Sequence, residues 1–325
     1  PTVSVDTSVK SAGDYWGRND WAPVYIEGDE VVFYPTIQAA INAAEGGDTI
    51  ILGAGIFEEG TINLPVRFEG ITIKGSENHA SIIKNSSIYR ADGNNLYYND
   101  IIIEGIVFDN SYILVTGQRT GTVEMNNWEI KNNIFRNLTS APNSIAAVHF
   151  NLGEGESAKG FVLTGNIFDN ISNKNSTGQA LWNNRLDKTA YIKNNVFMNL
   201  TDGQNPLNIQ IENNNGNNDL IEITGNIFDT KFWPYIGGRS NTGEDSVTLK
   251  INDNEFYQCG LDDRTTVITV TNFNSANTSA DLSNNHYDID PSEYLDRFRY
   301  NGTIADSIED LELLGFKPYY IIDAE

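Results

Sequence analysis

The sequence predicts an all-β fold, a right-handed single-stranded parallel β-helix, on three observations: an internal repeat, an asparagine at one place in nearly every copy, and an alternating apolar strand ahead of each. The copies read EGIVFDN, KNNIFRN, TGNIFDN, KNNVFMN, TGNIFDT, NDNEFYQ and SNNHYDI, with aromatic residues at Phe108, Phe135, Phe168, Phe197, Phe228, Phe256 and Tyr287. Their spacings of 27, 33, 29, 31, 28 and 31 residues are those of a solenoid and too short for a unit that buries its own core. Each copy is therefore one coil of a column.

Two residues before the aromatic stands Asn133, Asn166, Asn195, Asn226, Asn254 or Asn285, with Ile106 in the first copy. An asparagine tolerates a left-handed backbone corner, and its amide can bond to the same residue on the coils above and below. Ahead of it, FVLTGN, YIKNN, IEITGN and TLKIND alternate as strands with one inward face, so the aromatic that follows stacks inside. After a polar link comes a second strand: SYILVTG, SIAAVHF, GQALWNN, PLNIQIE, WPYIGG and TTVITVTN. Coils of this kind hydrogen-bond to the next about 4.8 Å away, leaving edges only at the two ends.

Those ends need covers. Ile37, Ala40, Ile41 and Ala44 recur at helical spacing in TIQAAINAAEGG, which predicts an N-terminal capping helix stopped at Glu45–Asp48, with Thr49 to Leu52 as the first strand. Near the other end, Ile308, Leu311 and Leu314 share a helical face before Gly315 and Pro318, which predicts a short C-terminal helical cap. Length raises no objection to one module, because a solenoid adds coils without widening its core.

Composition narrows the partners. With 44 acidic and 21 basic residues the net charge is −23, which repels nucleic acid and anionic lipid. No apolar run reaches the roughly 20 residues that span a bilayer, so no membrane insertion is expected. The N-terminal PTVSVDTSVK lacks the charged and apolar regions of a signal peptide, and the chain reads as a module cut from a longer exported protein. Cys259 is the single cysteine, so no intrachain disulfide forms, and it reads as a small packing residue. The Asn-X-Ser/Thr triplets at Asn85, Asn137, Asn170, Asn175, Asn199, Asn277 and Asn301 read as by-products of an asparagine-rich repeat.

The run TIQAAINAAEGGDTIILGAGIFEEGTINLPVRFEGITIKGSENHASII resembles the opening of right-handed β-helix proteins of the pectate-lyase-like superfamily, and the NNxF copies resemble their parallel β-helix repeats, from about Thr36 to Tyr287. That resemblance speaks to architecture and hardly to activity, because the superfamily includes lyases, hydrolases, epimerases, phage spikes and adhesins. DLSNNHYDIDPSEY and KPYYIIDAE resemble the end of tandem β-helix modules in bacterial surface adhesins, and DYWGRND with EVVFYP resembles the same ending of a preceding module. The sequence departs from that pattern at His286 and Asp288, where Trp or Tyr and Gly are more usual. The division that follows is a lead-in over 1–35, the β-helix over 36–290 and a C-terminal cap and exit over 291–325.

Aligning the second strands brings His149, then Trp182 with Asn183 and Arg185, then Gln210 with Glu212, then Arg239, then Thr271 with Asn272 to comparable places on successive coils. A row of aromatic and polar side chains suits an extended glycan, since aromatic faces cover sugar rings while Asn, Gln and Arg satisfy hydroxyls or carboxylates. The competing reading packs Trp182 under the loop NISNKNSTG and leaves the charges solvated. A polysaccharide lyase would use Arg185 or Arg239 as base, with Asp187 and Glu212 as Ca²⁺ ligands. A glycoside hydrolase would need paired carboxylates, for which Asp109, Asp169 and Asp229 are the repeat's own candidates, although Arg136, Met198 and Tyr257 interrupt them. Asp262–Asp263 and Asp288–Asp290 lack the spacing of a dedicated calcium loop, and His79, His149 and His286 are too scattered for zinc. No cofactor is expected, Ca²⁺ being the one ion the acidic loops suit. The expectation is a carbohydrate-binding or adhesive module, extracellular or at the cell surface, with neighbouring modules and a glycan as partners; a polysaccharide lyase or glycoside hydrolase is the alternative.

Overall fold

The computed structural model describes residues 2–5, 23–28, 30–93, 96–117, 123–139, 146–152, 157–172, 178–200, 205–211, 219–231, 234–238, 247–258, 267–271, 278–300 and 303–322. They form the predicted right-handed parallel β-helix. Each full coil, however, carries three faces where sequence reading separates two strands. The first face holds Thr49–Leu52, Thr72–Gly75, Ile102–Glu104, Glu129–Lys131, the C-terminal parts of Ser157–Thr164 and Gly178–Lys193, then Asp219–Thr224, Val247–Asn252 and Ser279–Asp281. The third holds Thr61–Asn63, Ser87–Gly93, Tyr112–Gly117, Val148–Asn151, the N-terminal part of Gly178–Lys193, Asn205–Ile211, Tyr235–Gly238 and Thr269–Thr271.

Between them lies a ten-stranded parallel sheet of short strands: Gly55–Phe57, Ser81–Lys84, Val107–Asp109, Ile134–Arg136, Ile167–Asp169, Val196–Met198, Ile227–Asp229, Glu255–Tyr257, Asn285–Tyr287 and Tyr319–Ile321. This second face carries the repeat aromatics. Phe108, Phe135, Phe168, Phe197, Phe228, Phe256 and Tyr287 stack coil on coil with centroids 4.6–5.5 Å apart and rings within 17° of parallel. The column ends edge-on against Phe298, and Phe298 against Phe316.

The corner between the first two faces explains the asparagine. Asn133, Asn166, Asn195, Asn226, Asn254 and Asn285 are fully buried. The Oδ1 of Asn195, for example, accepts from the Asn166 backbone N–H at 2.9 Å and its Nδ2 at 3.0 Å, while Asn195 Nδ2 donates to Leu163 O at 2.9 Å and to Asn226 Oδ1 at 3.0 Å. Ile106 starts the ladder through its backbone N–H, which donates to Asn133 Oδ1. The left-handed residue is the one before the ladder: Gly105, Asn132, Gly165, Asn194, Gly225, Asp253 and Asn284 all have positive φ. The sequence reading placed that corner one residue late. Glycine alternates with asparagine there for a steric reason, since a Cβ on Gly165 or Gly225 would lie 2.4 Å from Oδ1 of Asn132 or Asn194.

A second corner, after the short strand, sets Asn85, Asn110, Asn137, Asn170 and Asn199 at positive φ. Four of these begin Asn-X-Ser/Thr triplets. Their amides continue an outer ladder, with Asn110 donating to Asn85, Asn170 to Asn137 and Asn199 to Asp169. Asn175, Asn277, Asn301 and Cys259 lie outside the described residues.

At the N-terminal end the helix Ile37–Ala43 forms as expected, with Ile37, Ala40 and Ile41 buried. Thr36 caps it, and the Glu59 carboxylate accepts from Ile37 N at 2.6 Å and Gln38 N at 3.1 Å. The open edge of the first strand is closed by Val24–Glu27, which runs antiparallel to Thr49–Leu52 and to Glu30–Tyr34. At the other end the helix Ile308–Leu313 is capped by Ser307 and buries Leu311, and Leu314 packs against the core. Ile308, expected on the same apolar face, is 44% exposed, at the first position of a six-residue helix of less than two turns.

Candidate functional site

The strand register settles which residues of the third face stand in one row. His149 lies opposite Trp182, Trp182 opposite Asn208, Asn208 opposite Tyr235 and Tyr235 opposite Thr269. Asn208 thus takes the place expected of Gln210. The pairing skips between Asn183 and Leu186, so Gln210 falls beside that irregularity and opposite Gly237 on the following coil. Trp182, Asn183 and Arg185 are on the described strand, but their side chains, like that of Asp187, lie outside the described set; Glu212, Arg239, Asn272 and Asp262–Asp263 lie outside the described residues altogether.

Strand parity points His149 and Asn208 away from the aromatic column, yet each is only 4% exposed. Burial lowers the His149 pKa to about 4, so the ring is neutral near pH 7, and Ala146 N–H donates to its Nδ1 at 3.4 Å. The row is closed to solvent at these two positions and partly open at Tyr235 and Thr269.

The second face presents a different surface. From Val107–Asp109 to Glu255–Tyr257 the middle side chain of each strand points inward and the flanking two outward, whereas in Gly55–Phe57, Asn285–Tyr287 and Tyr319–Ile321 the middle residue, Ile56, His286 or Tyr320, is the outward one; in register these positions make two outer rows along the solenoid. One reads Ile56, Ile82, Val107, Ile134, Ile167, Val196, Ile227, Glu255, His286 and Tyr320; the other reads Lys84, Asp109, Arg136, Asp169, Met198, Asp229 and Tyr257. Toward the C-terminal end these rows bring aromatic rings and carboxylates together. The His286 and Tyr320 rings stack at 4.8 Å, and Tyr320 is 49% exposed. Tyr257 Oη donates to Glu255 Oε2 at 2.9 Å; that bond, partial burial and the charges of Glu255, Asp229 and Asp288 raise its pKa. None of these residues entered the predicted glycan row, and only the outward parity of the NNxF strands hints at them.

The carboxylates singled out as hydrolase candidates serve the ladders. Asp109 accepts Arg136 Nε at 2.9 Å and Asn137 Nδ2 at 3.2 Å, Asp169 accepts Asn199 Nδ2 at 2.7 Å, and Asp229 accepts Gln258 Nε2 at 2.6 Å. Asp288 accepts Gln258 N, and Asp290 caps Ser292. No group of three or more His, Cys, Asp or Glu side chains with metal-binding geometry occurs among the described residues. Nor is any described helix long and apolar enough to cross a membrane.

Set against protein-family models, curated proteins and solved structures, the chain matches none of them.

Proposed function

We propose that this β-helix is a non-enzymatic carbohydrate-binding or adhesive module of a secreted or cell-surface bacterial protein, of the kind the resemblance to tandem β-helix modules of bacterial surface adhesins implies. The observation that carries the reading is the outer surface of the second face, where Tyr257, His286 and Tyr320 sit on successive coils beside Asp229, Glu255 and Asp288. Aromatic faces beside fixed acceptors are what sugar rings and their hydroxyls require. The repeat supplies such positions at regular intervals along a rigid axis, which suits an extended polymer.

The test incubates the protein with pectin, alginate, glycosaminoglycans and neutral glycans, with and without Ca²⁺, while unsaturated product and reducing ends are followed. Retention on at least one glycan without new ends is the expected result; new ends would make it a lyase or hydrolase. A glycan array then compares wild type with Tyr320→Ala, Trp182→Ala and Arg185→Ala. Loss with Tyr320→Ala locates binding on the second face, loss with the other two moves it to the third, and no retention on any glycan overturns the reading.

A further inference from the structure

The two outer rows of the second face differ in kind. The row that starts at Ile56 is aliphatic through Ile227 and ends in Glu255, His286 and Tyr320. Its side chains point away from the aromatic column, so they add nothing to the core of their own coil, and an apolar stripe of this kind marks a contact surface. Ile56, 55% exposed, and Tyr320, equally open, stand at its two ends. The neighbouring row carries its cations, Lys84 and Arg136, on the N-terminal strands. From Ile167 onward the strands of this sheet contain no Lys or Arg.

We propose that this face is an interface between two copies of the chain, packed face to face with their solenoid axes antiparallel. A two-fold axis along the solenoid would lay the aliphatic row of each copy on the charged row of the other and bury charge under aliphatic carbon. A two-fold axis along the strands reverses the solenoid and lays each row on its own counterpart, read backwards. About the centre of the ten-stranded sheet this sets Ile167 against Val196, Ile134 against Ile227 and Ile82 against His286. Ile56 then meets Tyr320, so the two most exposed members of the row cover each other, and Val107, already buried, meets Glu255. In the charged row Arg136 meets Asp229, Lys84 meets Asp288 at the corner after Tyr287, Asp109 meets Tyr257 and Asp169 meets Met198. No like charges meet, because the cations lie in one half of the row and the other half is acidic. Arg136 keeps its pair with Asp109, at 2.8 Å, while adding a second carboxylate, which the five donors of a guanidinium allow. Nine strand spacings make the face about 43 Å long and its two rows about 12 Å wide. The pair therefore covers roughly 1,000 Å², the size of weak, reversible contacts. This inference goes beyond the carbohydrate-binding reading and does not rest on it; both use the C-terminal strands of the face, so a second copy and a glycan bound there exclude each other.

The experiment is sedimentation velocity of the whole chain at rising concentration in about 0.15 M salt, where a Debye length of about 8 Å screens the net charge of −23 but not close contacts. Reversible exchange between monomer and dimer, with no larger species, is expected. Val196→Lys should weaken the dimer about tenfold or more, because it buries a charge against Ile167. Lysine lowers the net charge, so added repulsion between copies does not account for that loss. Arg136→Glu and Asp229→Lys should each weaken the dimer about three- to tenfold, the effect of an exposed ion pair made twice, and together restore it. These two exchanges lie on the surface and carry the test if Val196→Lys lowers thermal stability. In a Cys259→Ser background, Ile56→Cys with Tyr320→Cys, about 43 Å apart within one copy, should oxidise to a covalent dimer and no further. A chain monomeric at every concentration, or a dimer that both Val196→Lys and the single charge exchanges leave intact, overturns the interface. Failure of the paired exchange to restore the dimer, or oxidation to a ladder of larger species by end-to-end contact, overturns the antiparallel register.

Discussion

Replacing Asn195 by alanine should destabilise the protein far more than its size suggests. The side chain makes four buried hydrogen bonds, two received from Asn166 and two given to Leu163 O and Asn226 Oδ1. Asn166 Nδ2 keeps its bonds to Ile130 O and Thr164 O, and the Asn195 backbone N–H keeps Asn226 Oδ1. The Asn166 backbone N–H and the Leu163 carbonyl each lose the partner that Asn195 supplied, in a site closed to water. An orphaned buried polar group costs about 1–3 kcal/mol, so with two of them the variant should lose about 2–6 kcal/mol, a large part of the roughly 5–15 kcal/mol that holds a typical domain together. The assay is urea unfolding followed by circular dichroism, with Asn199→Gly as the comparison, since glycine fits the left-handed φ of that corner without strain. Asn199 lies on the exposed outer corner and donates one bond, to Asp169, so its loss should cost under about 1 kcal/mol. Equal midpoints for the two variants would refute the claim that the inner ladder is the stabilising one.

Three further outcomes follow from the same geometry. Gly225→Ala should cost at least about 1–2 kcal/mol from its left-handed φ alone, plus the clash with Asn194 Oδ1 at 2.4 Å; adding Asn194→Ala should recover the steric part in a double-mutant cycle, and additivity would refute the contact. Phe197→Ala removes a ring stacked 5.1 Å from Phe168 and 4.9 Å from Phe228 and should cost about 3–5 kcal/mol in denaturant titration, whereas a loss near 1 kcal/mol would mean the column is loosely packed. His149 has a folded pKa of about 4 against 6.5 unfolded, so the unfolded chain takes up the proton first and stability falls as pH drops through that window. The contribution is about 3 kcal/mol, read as the difference between wild type and His149→Gln across the window, and parallel pH profiles would contradict it.

The fold was legible because the interior ladder and the aromatic column both demand residue identity, and identity at a fixed period survives in sequence as NNxF. The third strand of each coil was not, because three residues such as Ile134–Arg136 directly follow Glu129–Lys131, and the corner between them leaves one left-handed residue as its only trace. TGN alternating with KNN was that trace: the small residue makes room for its neighbour's amide. Val24–Glu27 was illegible as an edge cover because its antiparallel pairing to Thr49–Leu52 is non-local. Of the predicted row, the step from His149 to Trp182 is in the register, but the irregular strand Gly178–Lys193 shifts Gln210 away, and no local pattern announces such a slip. The aromatic and acidic surface was missed because its residues differ in type and are a full coil apart, joined only by outward parity.

The central claim is that successive repeats are stacked coils, and distance measurement between spin labels tests it. In a Cys259→Ser background, cysteines replace Lys74 and, in turn, Thr164, Thr224 or Asn252, which share one outward row with Lys74 at three, five and six coils. The account predicts narrow distributions rising by about 4.8 Å per coil, to about 29 Å for the Lys74–Asn252 pair before the label arms are added. Distances that fail to rise with coil number, or broad distributions for all three pairs, would contradict it.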